Sequence, residues 1–180
     1  LKARETYADG MPYFLYVGSI HPRKNLENVL RAYARFREQV DQPHRLLLTG
    51  RKAWDFEQVI RFYDTMPFKD EVCFTGFVPD EALNTLLNGA LALTYVSRFE
   101  GFGLPILEAM HAETAVICSD TSSMPEVAGP AALLVPPEQP EAIAAAMVRV
   151  ATQPTLREAL LVAGRSQRSH YSWDRTAAIC

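Results

Sequence analysis

Several things this sequence has little of limit what it can be. Three cysteines, Cys73, Cys118 and Cys180, stand among 180 residues. They are odd in number, far apart and without CxxC spacing, so no disulfide framework or zinc cluster is expected and a reducing compartment is the simpler setting. Neither sign of charge dominates: 18 Lys and Arg against 21 Asp and Glu leave a formal net charge of -3. That balance excludes the cationic face from which nucleic-acid binders draw their affinity, so any bound anion must be held locally. Long hydrophobic runs are missing too. The stretch Ala90 to Val96 falls far short of the roughly 20 residues of a membrane helix, and Leu1 to Gly10 is charged, unlike a signal peptide. A soluble chain with no membrane insertion of its own is expected. GxxxxGK[ST], GxSxG and HExxH are all absent, and no two aspartates are spaced by one residue, so no metal site is expected.

What is present is ordinary globular composition, 48% hydrophobic and 22% charged, at a length that suits one domain and buries about 70% of its unfolded surface. Short apolar runs alternate with longer helical patterns, the signature of a parallel sheet wrapped by helices. The spacing predicts six strands, Tyr13 to Val17, Arg45 to Thr49, Glu71 to Thr75, Leu91 to Tyr95, Ala115 to Cys118 and Ala132 to Val135. Leu26, Val29, Leu30, Tyr33 and Phe36 recur at helical steps, as do Leu104, Leu107, Met110 and His111, so each set is expected to form a buried helix face. Ser123-Met124-Pro125-Glu126 reads as a capping box, and Pro140 and Pro154 open two more helices. The start at Leu1 and the stop at Cys180, six residues into a helix expected from Asp174, suggest part of a longer chain.

Open sheets of this kind bind ligands outside the carboxyl ends of their strands. Four loops there stand out: Gly18 to Asn25, Gly50 to Trp54, Gly76 to Pro79 and Ser97 to Pro105. In the first, a glycine turn precedes Arg23 and Lys24, whose charge suits phosphate oxygens. In the last, Pro105 marks a helix start, so Gly101, Phe102, Gly103 and Leu104 would present free N–H groups to an anion. Glu108 falls about one turn later, roughly 5 Å along the axis, where it could accept from sugar hydroxyls. Glu100 could reach the other side of the same anion. Gly101-Phe102-Gly103 is not a dinucleotide fingerprint, because Ile106 stands where the third glycine belongs. His21 reads as loop and His111 as helix packing.

On Gly18 to Asn25, Glu100 to Glu108 and Ser122 to Leu134, the chain resembles the donor-binding C-terminal half of family 4 (group 1) retaining glycosyltransferases of the GT-B fold. The hallmark is the Glu-x7-Glu pair, Glu100 and Glu108. Phe74-Thr75-Gly76-Phe77-Val78-Pro79 and Tyr171-Ser172-Trp173 extend the resemblance along nearly the whole chain. It implies a Rossmann-like α/β domain with helices on both faces of about six parallel strands, and an N-terminal acceptor domain outside this chain. It further implies that Arg23 and Lys24 hold the diphosphate of a nucleotide sugar while Gly18 and Ser19 allow close backbone approach. Glu108 would bind the ribose, Glu100 and the amides of Gly101 to Leu104 the transferred sugar and phosphates, and the Val78 backbone the base, with Gly50 and Lys52 lining the cleft. Glu113-Thr114-Ala115 departs from the glycine and Thr-Pro of many relatives and should alter that helix end.

The activity so implied is retaining transfer of a hexose from a nucleotide-diphosphate sugar, GDP-mannose preferred, to a glycan or lipid-linked acceptor in polysaccharide biosynthesis. No cofactor or metal is implied, and no nucleic-acid partner. A cytoplasmic location is expected, with any attachment to the inner membrane resting on the acceptor domain. Two alternatives stay open: half of a sugar-nucleotide epimerase, and a nucleotide-binding module without transferase activity.

Overall fold

Six runs of β-branched, leucine and aromatic residues form six strands: β1 (Tyr13–Val17), β2 (Arg45–Thr49), β3 (Val72–Gly76), β4 (Ala92–Tyr95), β5 (Ala115–Ser119) and β6 (Ala132–Val135). Each lies within one residue of its expected bounds; Glu71 ends a short 3-10 turn instead of opening β3. The computed structural model describes residues 2–51 and 56–172. Lys52 and Trp54 of the second loop, Trp173, Cys180 and the helix expected from Asp174 lie outside the described residues.

All five strand pairings are parallel, in the order β3-β2-β1-β4-β5-β6. Helices cover both faces, which is why the strands read as nearly unbroken apolar runs. Alternation along β1 splits the core in two. Phe14 and Tyr16 face α2 (Leu26–Arg37), α3 (Phe56–Thr65) and α7 (Pro140–Thr152). Tyr13 and Leu15 face α1 (Lys2–Tyr7), α4 (Asp80–Gly89), α5 (Leu104–His111) and α6 (Met124–Ala128). Helix α8 (Pro154–Arg168) packs on α5, β5 and α7. Among the described residues no helix is long and apolar enough to cross a membrane.

Three local outcomes bear on the site. Ser123 precedes α6 but makes no side-chain cap; its hydroxyl instead donates to the carbonyls of Glu100 (3.0 Å) and Phe102 (2.8 Å). The capping box is not formed: Ser123 has helical backbone (φ -76°, ψ -14°) where a capping residue is extended, and its oxygen accepts from no N–H of the first turn. The buried face of α5 is Ile106, Ala109 and Met110, whereas Leu104 and His111 are exposed and Leu107 is half-buried. Of the stripe expected in the core, Met110 is buried and Leu107 packs partly against that core, while Leu104 and His111 face outward. Glu113 takes the left-handed backbone (φ 57°) that closes α5 as a Schellman motif, with Thr114 N–H donating to Ala109 O at 2.9 Å and Glu113 N–H to Met110 O at 3.3 Å. Ion pairs from Glu113 to Arg165 (2.7 Å) and Arg168 (3.0 Å) accompany that strained position.

Candidate functional site

In the strand order β3-β2-β1-β4-β5-β6 the chain reverses direction across the sheet between β1 and β4, and the loops leaving their carboxyl ends diverge to form a crevice. The β1 loop turns at Gly18 and then makes a 3-10 turn at Pro22–Lys24, with His21 Nδ1 accepting from the Arg23 N–H at 3.1 Å. Asn25 follows in left-handed backbone (φ 59°). Its buried side chain donates to Val96 O (3.0 Å) at the end of β4 and to Pro137 O (2.7 Å) beyond β6. One amide therefore ties three loops together.

This folding brings Arg23, Lys24 and Glu100 into contact. Glu100 Oε2 lies 2.7 Å from Arg23 Nη1 and Oε1 lies 2.6 Å from Lys24 Nζ. The Glu100 side chain is 9% exposed, Lys24 11% and Arg23 41%, so the pair with Lys24 is the shielded one. Burial opposes ionisation of Glu100, but hydrogen bonds from Lys24, Ser97 and Arg23 outweigh it and hold the carboxyl below its ordinary value. Lys24 Nζ also donates to Tyr95 Oη at 2.9 Å. Burial first, then the Glu100 charge, raises the Tyr95 phenol well above its usual value.

Gly18 serves Lys24 as much as any ligand. A Cβ on Gly18 would sit 3.3 Å from Lys24 Cε, so the lysine stem occupies the space where close ligand approach was expected. Gly50 is needed for a different reason: its Cβ would meet Gly18 O at 1.9 Å, so the β1 and β2 loops touch backbone to backbone. Ser19 is exposed, with its carbonyl accepting from Tyr16 Oη at 3.1 Å.

The β4 loop is held from β5. Glu100 N–H donates to Ser122 Oγ at 3.1 Å, and Ser119 Oγ donates to Ser97 O at 2.6 Å. Gly103 (φ 106°) then turns the chain into α5. The N–H groups of Gly101, Phe102, Gly103 and Leu104 donate to no acceptor in the chain among the described residues. Four unused donors at a helix start are a candidate anion site. Gly101 and Phe102 are exposed there, the Phe102 ring lying edge-on to Tyr171 at 5.9 Å.

Glu108 stands apart from the Arg23, Lys24 and Glu100 cluster. It lines a groove of about 800 Å³ between α4 and α5, together with Asp80, Leu83, Leu104 and Tyr171. Lost hydration first, and the Asp80 charge second, raise its carboxyl above the ordinary value. Val78 lies in the β3–α4 loop with its side chain against the core. Asn25, Tyr95, Arg98 and the serines after β5 were not singled out as site residues in the sequence. An asparagine between a basic pair and a helix is the one signal that could have marked Asn25.

Chemically, the cluster can take negative charge. Fixed cations and unused amides are the kind of groups that could stabilise an oxyanion without reorganising. Residues 1–167 match the family Glycosyl transferases group 1. The chain is 35% identical over 162 residues to the O-antigen chain mannosyltransferase B of Escherichia coli, covering 90% of this chain and 42% of that protein. Among solved structures, sucrose-phosphate synthase from Thermosynechococcus elongatus superposes with a TM-score of 0.83 at 29% identity, over 98% of this chain and 46% of that one. The C-terminal domain of a group 1 family protein from Francisella tularensis gives 0.79 at 21% identity, over 93% of this chain and 91% of that one. This chain spans less than half the length of the first two proteins. It belongs to the group 1 glycosyltransferases.

Proposed function

We propose that this chain is the donor-binding half of a retaining mannosyltransferase that takes GDP-mannose and acts in polysaccharide biosynthesis. The observation that carries the reading is the meeting of Arg23 and Lys24 on Glu100, the residue that leads into the Gly101–Leu104 amides, in the crevice between β1 and β4. Arg23 and Lys24 hold the diphosphate, the amides of Gly101, Phe102, Gly103 and Leu104 take its remaining oxygens, and Glu108 accepts from the ribose hydroxyls. Glu100 sits where it can orient both cations and the transferred sugar. As the bond from sugar to phosphate breaks, the charge left on GDP falls among these groups, so no metal is required. Mannose is preferred because the E. coli relative is named a mannosyltransferase. The acceptor would bind a second domain, which fits the partial coverage of the relatives' lengths.

Calorimetric titration of the chain with GDP, UDP and ADP, first with a chelator and then with magnesium, tests the donor site. Metal-independent binding of GDP is expected. Binding of UDP alone would replace the base, and binding of none would remove the donor site from this chain. Transfer of labelled mannose to an acceptor by the full-length protein, as opposed to hydrolysis or epimerisation, separates the transferase from both alternatives.

A further inference from the structure

Arg98 lies one residue past Ser97 in the β4 loop and connects more loops than any residue so far given a role. Its backbone N–H donates to Arg23 O at 2.8 Å, and its Nη1 donates to Pro22 O at 2.5 Å. Two carbonyls of the turn that presents Arg23 and Lys24, those of Pro22 and Arg23, therefore accept from Arg98. The other edge of its guanidinium is forked onto Glu138, with Nε to Oε1 at 2.6 Å and Nη2 to Oε2 at 3.2 Å. Its carbonyl accepts from Thr121 Oγ1 at 3.3 Å. Glu138 follows Pro137, whose carbonyl accepts from Asn25 and Asn28, so the segment after β6 is itself anchored to the start of α2.

We infer that Arg98, oriented by Glu138, is a positioning residue for the anion grip: it sets where Arg23 and Lys24 stand relative to the Gly101–Leu104 amides. The inference rests on the donor reading above. A planar guanidinium is suited to the task, since it reaches a carboxylate and a carbonyl from two edges at once, which an ammonium cannot. The ion pair is half-exposed, with side chains 43% and 60% accessible, so its contribution to global stability is small. Its effect falls on the placement of the turn.

Positioning and simple electrostatics predict opposite signs. Glu138 is a negative charge near an anion site, so Glu138→Ala should strengthen GDP binding if charge alone matters. If Glu138 orients Arg98, the same change weakens binding by about tenfold, as misplacement of a binding group does. Arg98→Lys keeps the charge and loses the fork, so positioning predicts weakened binding and a charge-only role predicts wild-type affinity. Hydrogen exchange at the amides of Lys24 and Asn25, which close the turn onto His21 O and Pro22 O, supplies a ligand-free readout. It should quicken in both variants while the melting point stays near that of wild type. Wild-type or tighter GDP binding in both variants, or unchanged exchange at these amides, would overturn the inference. If the unaltered chain binds no GDP, the donor reading fails, and exchange at Lys24 and Asn25 decides the positioning by itself.

Discussion

Glu100→Gln should destabilise the ligand-free protein and at the same time tighten its grip on GDP. The substitution removes the anion between Arg23 and Lys24, which approach it to 2.7 and 2.6 Å. Breaking a fully buried pair costs about 3 to 5 kcal/mol. Arg23 is 41% exposed and glutamine keeps one oxygen, so about 2 kcal/mol is the expected loss, near the value of a hydrogen bond to a charged group. For a chain of 180 residues this lowers the melting point by roughly 4 to 8 °C. A phosphate oxygen that shares a cation with Glu100 lies within about 6 Å of it, where two unit charges repel by about 3 kcal/mol at an effective dielectric constant of 20. Part of that is screened, so GDP should bind about tenfold tighter. The two effects meet in one assay, because at a single GDP concentration well above both dissociation constants the tenfold tighter variant gains about 1.4 kcal/mol more than wild type, which should close most of the melting gap. The pH dependence has a definite sign. The Glu100 carboxyl is held below its ordinary value, so its stabilisation is complete above the unfolded value, about 4.3, and is lost as pH falls through the lower folded one. The gap between wild type and variant therefore closes in acid. An unchanged melting point, or weaker GDP binding, would refute the reasoning.

Other perturbations separate structure from function elsewhere. Glu108→Gln should weaken GDP binding yet slightly raise the melting point at neutral pH. The Glu108 carboxyl is raised by lost hydration and Asp80, so its ionised form is disfavoured in the fold as pH rises through the folded value, and the gain should vanish in acid; a gain that persists there would contradict this. Glu113→Gly trades left-handed strain of about 1 to 2 kcal/mol against two exposed ion pairs, so denaturant melts should show it stabilising in high salt, where the pairs are screened. Gly50→Ala puts a methyl 1.9 Å from Gly18 O and should cost about 3 kcal/mol or more as the two loops separate, the scale of cost expected of an overpacked site; a melting point equal to wild type would show the contact to be soft.

Much of the fold could be read from the chain because its periods are simple. Tyr13 to Val17 and Arg45 to Thr49 are apolar on both faces, and only a sheet covered on both sides needs that. The candidate site residues could be named as well, since Arg23, Lys24 and Glu100 carry charge in residue type, and the structure brings these three into contact. Features that depend on a partner distant in sequence were not. Ser123 has the pattern of a cap, but its choice of Glu100 O and Phe102 O depends on how β5 sits beside β4. Leu104, Leu107 and His111 have helical spacing, which marks a stripe without saying which way it faces. That Gly18 accommodates Lys24 required the loop to fold back on itself. Arg98 and Asn25 look like loop residues until three loops converge on them.

The placement of β1 beside β4 also matters while the protein is being made. Arg23 leaves the ribosome 77 residues ahead of Glu100, the carboxylate it will pair with. Until β4 emerges, β1 has β2 on one side and an unpaired edge on the other, although it ends as an interior strand. An apolar strand with a free edge is a template for pairing with other chains. The nascent chain is therefore most prone to aggregation in the interval before β4 is complete, and the same docking event that removes this hazard brings Glu100 to Arg23 and Lys24.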